Sequence, residues 1–342
     1  METLSKKEGG TGLGKKNLIV NQMLERKENF ADLINGTIYE GCQILRADML
    51  EKQSCHSGVI YEEEGSKRVL ERDADIRMKA DMGTYSLIWT NETQAKVHYA
   101  MPVRVMLQDA LEYVKQVQEL EKKHKDLREK LREDEFLSGI RKEDRISPVI
   151  TTVLYCGTEW DGSKSLREMF EVDERDESLK VLEKYLPEYR IHVVDVSRIE
   201  DMSVFKSCLQ HIFSMVKYNS DKKELYEYMK ANREEIRKMD HVEQLAALVL
   251  LGEQKRVQKL MDGNEEWEGD VCKAIDDLIE DGRAEGRAEG RAESILELLG
   301  ELGSIPAEIT MRIRKEENVE VLREWLKLAA RANNVQQFLS CM

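Results

Sequence analysis

In the run WTNETQAKVHYAMPVR, residues 89–104, a carboxylate and an amide stand two residues apart, Glu92 and Gln94. Side chains at i and i+2 of a strand leave from one face, so an extended run would point both the same way. Upstream, in LERDADIRM (residues 70–78), the apolar positions Leu70, Ala74, Ile76 and Met78 leave Asp73, Asp75 and Arg77 on the other face. Two hard carboxylate oxygens from Asp75 and Glu92, with a backbone carbonyl near Thr93, would make an incomplete oxygen shell. Mg²⁺ uses such shells at phosphate-handling sites, where it keeps several waters. A metal held there lowers the pKa of a bound water and neutralises charge on a phosphodiester. Pattern alone leaves open the plainer alternative, an acidic strand face that is simply solvated.

The two runs must pair for their carboxylates to meet. In TYSLIWTNETQ (residues 84–94), Tyr85, Leu87 and Trp89 share one face, opposite Ser86, Ile88, Thr90, Glu92 and Gln94. Matching the apolar faces predicts a hairpin with Ile76 against Trp89 and Met78 against Leu87, closing at Met82-Gly83 or a slightly longer even-numbered loop around it. Asp75 then lies opposite Thr90 and diagonal to Glu92, at about 7 Å. Pro102 next opens an amphipathic helix running to about Glu135, with Val105, Leu107, Leu111, Val114, Val117 and Leu120 on its apolar side. Arg104, just inside that helix, is a candidate phosphate contact, or equally a surface arginine paired with a nearby acid. His98 and Tyr99 read as packing or hydrogen-bonding residues.

Around this hairpin the chain alternates helical and strand patterns. KKNLIVNQMLERKENFADLINGTIYEG reads as one or two helices ending by Gly41, and SPVITTVLYCG and YRIHVVDVS are β-branched apolar runs of the kind covered on both faces. SVFKSCLQHIFSMVKY is again helical in period. The fold class is therefore α/β, a mixed sheet flanked by helices over residues 17–218, followed by an acidic, all-helical region over residues 219–342. Within that region the tetrad GRAE repeats three times from Gly282 to Glu293. A four-residue step turns a helix by about 400°, so each residue type forms its own slowly drifting stripe. Each glycine opposes a helix by roughly 1 kcal/mol, which favours a solvated charged linker here. Residues 1–16 read as a disordered tail. Their GGTGLGKK resembles the start of a phosphate-binding loop but lacks the preceding strand and the Ser or Thr after the lysine.

With 342 residues, 35% charged and 41% hydrophobic, the chain can bury a sizeable core and belongs with globular rather than disordered sequences. Its longest apolar run, LAALVLL from Leu245, is far too short to span a bilayer, and the N-terminus has no signal-like stretch, so a cytoplasmic protein without membrane contact is expected. The six cysteines are scattered and read as reduced thiols, with no soft-metal spacing. A net charge of −14 argues against a nucleic-acid partner, but its distribution weakens that argument. Residues 1–145 carry 25 Lys+Arg against 27 Asp+Glu, leaving 28 against 40 in residues 146–342. The first half has room for a local basic patch, and the acidic half is expected to handle partner contacts or self-association into a homo-oligomer.

The runs FADLINGTIYEG, RDADIRMK, ETQAKVHYAMPVRVMLQDALEY, EFLSGIRKEDRISPVITTVLYCGTEWDG and RIHVVDVSRI, in that order between residues 17 and 220, resemble the recombination-promoting nuclease (Rpn) family of the PD-(D/E)XK nuclease superfamily. The resemblance implies a Mg²⁺-dependent DNA endonuclease, with Mn²⁺ able to substitute, linked to recombination or transposition. It implies that Asp75 and Glu92 are metal ligands and catalytic residues, and that Gln94 stands where the superfamily usually has lysine. Glutamine can orient a water but supplies no positive charge and exchanges no proton as an amine does. Lys79 or Lys96 would then supply the missing charge. Ala74 replaces the proline of the name-giving motif, and Asp32 matches a region where related nucleases add a further acid. The rival from another class is a non-catalytic DNA-binding or protein-interaction module that keeps the fold.

Overall fold

A computed structural model describes residues 13–63, 66–127, 131–171, 181–253, 257, 267–316 and 318–342. Contacts divide the chain into two compact units, one through Val216 and one from Lys217.

The first unit opens with two helices, α1 (Leu13–Leu24) and α2 (Lys27–Thr37). Residues 13–16 thus belong to α1 rather than to a tail; the rest of the expected tail lies outside the described residues. Among the described residues seven strands follow: β1 (Leu50–Lys52), β2 (His56–Glu63), β3 (Ser66–Asp73), β4 (Ile76–Asp81), β5 (Ser86–Gln94), β6 (Val149–Tyr155) and β7 (His192–Asp195). Five of them form one mixed sheet in the order β1-β4-β5-β6-β7, while β2 and β3 pair only with each other. The β1–β4 and β4–β5 pairs are antiparallel, and β5–β6 and β6–β7 are parallel. A parallel pair needs a long crossover, and α3 (Met101–Asp126) with the short α4 (Glu133–Ser138) supplies it between β5 and β6. The expected single helix to residue 135 is therefore two. The Glu135 carboxylate accepts from the Arg132 N–H at 2.9 Å and starts α4 afresh.

The continuous strand expected across LERDADIRM is broken. β3 ends at Asp73 in the two-stranded sheet, and β4 begins at Ile76 in the other. The register also differs from expectation by two residues, with Met78 opposite Trp89 and Ile76 opposite Asn91. Its cause is a four-residue loop, Met82–Tyr85, held by Met82 N–H to Tyr85 O at 2.9 Å and Gly83 N–H to the Asp81 carboxylate at 2.8 Å, with Gly83 at φ +82°. An even shift preserves every face, so the side chains still sort as the pattern predicts.

Both faces of the sheet are covered. Ile76, Met78, Ala80, Leu87 and Trp89 are buried on one. On the other α3 packs, setting Met101 and Val105 against Val153, Tyr155, Trp160 and Ile191. Helix α5 (Leu209–Tyr218) closes the unit. Gly36 of α2 is required by close approach to the segment before α5, since a Cβ there would fall 2.4 Å from the Phe205 ring. Among the described residues, Cys42, Cys55, Cys156, Cys208 and Cys341 are not joined in disulfides.

The described part of the second unit is helical: α6 (Lys222–Ala231), α7 (Arg233–Lys238), α8 (His241–Leu250), α9 (Trp267–Leu302), α10 (Ala307–Lys315), α11 (Val319–Ala329) and α12 (Val335–Cys341). The GRAE tract is not a linker; it lies inside the 36-residue α9. Its alanine stripe explains why. Ala288 and Ala292 are buried in one cluster with Ile295 and Leu299 of the same helix, Ile313, Leu322, Trp325 and Phe338. That spacing sets one helix face, and the Arg291 guanidinium adds a 2.7 Å bond to the Val319 carbonyl. Among the described residues no helix is long and apolar enough to cross a membrane.

Candidate active site

Extending the β4–β5 register by one residue brings Asp75 directly across from Glu92 rather than diagonal to it. Asp75 sits in the bend that admits the chain to β4, where the ladder has not begun, so its carboxylate is free to turn along the strand ends. It accepts the Thr93 backbone N–H at 2.8 Å. Thr93 thus contributes its backbone N–H to the site. The Asn21 side chain of α1 also hydrogen-bonds the Asp75 carboxylate. Burial pushes the Asp75 carboxyl above the ordinary carboxylate range, against the opposing pull of Thr93, Arg104 and Asn21.

Glu92 is nearly sealed from solvent, with its side chain 1% exposed, and the face it occupies is no open surface. Arg104, in the first turns of α3, donates from Nη2 to Glu92 Oε2 at 3.1 Å. Of the two readings open for Arg104 in the sequence, pairing with a nearby acid is what this structure contains. Its side chain keeps 27% exposure, and its Nε is buried without a hydrogen-bond partner among the described residues.

Beyond this pair the layer between α3 and the sheet carries polar residues over two more turns of helix. Asp109 accepts from Thr151 Oγ1 at 2.5 Å and from the Tyr189 hydroxyl. Glu112 pairs with the fully buried Arg77 at 2.8 Å, and Arg77 also donates to the Ser54 carbonyl at 2.9 Å. Gln108, one turn after Arg104, is 1% exposed, and neither polar atom of its side chain has a partner among the described residues.

The remaining sequence-predicted residues divide. Gln94 ends β5, half-buried, on the same face as Glu92. Lys96 is exposed in the turn that leads to α3. Lys79 is exposed on β4, four residues from Asp75. At a strand's rise that separation is about 13 Å, longer than a lysine side chain. Asp32 is buried on α2, and its carboxylate is taken up by the backbone N–H groups of Lys206 and Ser207, at 2.8 Å each, and by Ser207 Oγ at 2.7 Å. It thereby anchors the approach to α5. Tyr99 donates to Asp161 at 3.2 Å on the exposed rim.

Asn21 and Gln108 were missed in the sequence. Asn21 interrupts the apolar run LIVNQML and Gln108 the apolar side of α3, and a polar residue at a buried helical position was the only available signal. The donor set fits a small hard cation. Asp75 and Glu92 would supply carboxylate oxygens, and Asn21 Oδ1 is a buried oxygen without a hydrogen-bond partner among the described residues. Two carboxylates and an amide oxygen suit Mg²⁺, which retains waters and takes one or two carboxylates.

Residues 98–246 match the model of a family described as "Putative transposase, YhgA-like". The match covers less than half of the chain, from the turn after β5 through α3, β6, β7 and into α8, so it includes Arg104 but not Asp75, Glu92 or Gln94. In that segment the chain is similar to a transposase-like family. Comparison with curated proteins and with solved structures gave no match.

Proposed function

We propose that the first unit is a Mg²⁺-dependent DNA endonuclease, linked to recombination or transposition. The observation that carries this reading is the β4–β5 register, which one residue beyond Ile76–Asn91 sets Asp75 across from Glu92, with the buried Glu92 already facing the Arg104 guanidinium. A buried carboxylate is costly without a counter-charge, and a packing layer alone gains nothing from two of them. Asp75 and Glu92 would hold Mg²⁺, or Mn²⁺ in its place, with Asn21 Oδ1 as a further oxygen. When bound, the cation supplies a water of lowered pKa and neutralises charge on the phosphodiester.

The chain's own residues then orient the reactants. Arg104 donates to a phosphate oxygen from its guanidinium, and its position in the first turns of α3 suits an anion, which the helix N-terminus also attracts. Gln94 hydrogen-bonds the attacking water without exchanging its proton. Lys96, two residues further on, supplies the positive charge that the amide lacks. Similarity to a transposase-like family over residues 98–246 supports DNA as the polymer acted on.

Supercoiled plasmid incubated with the full chain in Mg²⁺ should become nicked or linear, and the Asp75→Asn variant should leave it intact while still binding it. If neither protein cuts across a range of salt and metal, and DNA binding is indifferent to chelation, the fold serves as a non-catalytic binding module. Gln94 in place of lysine is what motivates that second reading.

A further inference from the structure

We infer that Arg104 is a gate on the site: its guanidinium holds Glu92 as a resident counter-ion, a divalent cation must displace it to enter, and the released side chain then turns to phosphate. The inference rests on the metal-site reading above and adds to it an order of events and a competition.

Three observations lead there. First, Arg104 meets the same carboxylate that the cation needs, at 3.1 Å from Glu92 Oε2, and its charge also reaches Asp75. Glu92's other oxygen, Oε1, is buried, and a divalent ion at either oxygen of this carboxylate stands close to the guanidinium on Oε2, where like charges repel strongly. Second, the pair is incomplete. Arginine binds carboxylates best as a two-pronged fork, yet here one nitrogen bonds Glu92 while Nε is buried with no partner among the described residues. Third, the side chain has somewhere to go, since it remains 27% exposed while Glu92 is only 1% exposed. It also stands in the first turns of α3, where the helix dipole disfavours a cation and favours an anion.

Linkage follows. If cation entry and the Arg104–Glu92 pair exclude each other, removing the guanidinium must tighten cation binding in the absence of DNA. A phosphate that captures the released guanidinium must likewise tighten the cation, and the reverse. The metal-free protein is then held inactive by its own arginine and becomes competent when cation and phosphate arrive together.

The test is calorimetric titration of Mn²⁺ into the full chain without DNA, for the unaltered protein, Arg104→Gln and Glu92→Gln. Arg104→Gln should bind about tenfold more tightly than the unaltered protein, within the usual range of coupling between sites, and Glu92→Gln should bind weakly or not at all. Equal or weaker binding by Arg104→Gln, with Glu92→Gln still impaired, overturns the gate and leaves the metal site standing. Absence of Mn²⁺ binding by the unaltered protein overturns both. Because Arg104→Gln could misfold, the unaltered protein provides a second readout. Saturating Mg²⁺ should move the Arg104 Nε–H resonance in its ¹⁵N spectrum, identified by its loss in Arg104→Lys. A resonance that does not move contradicts displacement.

Discussion

Two helices, α3 and α9, each lay a face on a core, and the faces differ in kind. Along α3 the buried positions mix apolar Met101, Val105 and Leu111 with polar Gln108, Asp109 and Glu112, beside the half-buried Arg104, and they face a sheet surface that carries Arg77, Thr90, Glu92 and Thr151. Along α9 they are Ala288, Ala292, Ile295 and Leu299, against Ile313, Leu322 and Trp325. Burying one Ile or Leu contributes about 1.5–3 kcal/mol, so the second face explains its own stability and offsets the glycines of the GRAE tract. The first does not. A buried polar group left without a partner costs about 1–3 kcal/mol, and an apolar layer of the same shape would be simpler. On the function proposed above, the polar part of this layer is kept because it leads to the strand ends that carry Asp75 and Glu92.

The contrast can be broken most forcefully at Arg77. Arg77→Met leaves Glu112 buried beside the vacated position and should cost about 3–5 kcal/mol in denaturant unfolding, whereas Arg77→Met with Glu112→Leu should recover most of that loss. If the double variant is as unstable as the single one, the pair does more than neutralise itself. On the α9 side, Gly286 and Gly290 have open space where a Cβ would stand. Replacing both by alanine should stabilise the helix by about 1 kcal/mol each, seen as a higher unfolding midpoint. No gain would mean that the tract's helix is not limited by glycine.

A smaller effect concerns pH. Burial raises the Asp109 carboxyl above its ordinary value, against the hydrogen bonds from Thr151 and Tyr189. A carboxyl whose folded pKa lies above its unfolded one binds its proton more tightly when folded, so its contribution is most favourable at low pH and is lost as pH rises through the raised value. The unaltered protein should therefore gain stability over Asp109→Asn as pH falls from 7 toward about 4, by about 1.4 kcal/mol per unit of elevation. A difference independent of pH would contradict this. The smallest expected effect is at Gln108. Gln108→Leu should change stability by less than about 1 kcal/mol, or improve it, because it removes polar atoms that have no partner among the described residues. A loss of 2 kcal/mol or more would mean that buried water or ligand engages that amide.

Much of the α/β core was legible because its signals were local. The β6 and β7 runs are β-branched and apolar throughout, as strands covered on both faces must be, and Pro102 marks the start of α3 within a residue. Face assignment in β4 and β5 survived the register error because period 2 forgives an even slip, but the contact between Asp75 and Glu92 depends on a loop whose length no pattern fixed. Asn21 was invisible for a different reason. A single asparagine in a helix announces nothing until α1 is set beside the strand ends, 54 residues away in sequence from the aspartate it touches. The GRAE tract reads as a linker from its glycines alone, and only the tertiary burial of Ala288 and Ala292 makes it helix.

The most direct measurement is anomalous scattering from crystals of the full chain soaked in Mn²⁺. A peak within coordination distance of both the Asp75 and Glu92 carboxylates, with the Arg104 guanidinium moved off Glu92, is the predicted result. A saturating soak with no peak at those carboxylates, or Mn²⁺ bound only elsewhere, would contradict the assignment of this layer as a metal-dependent active site.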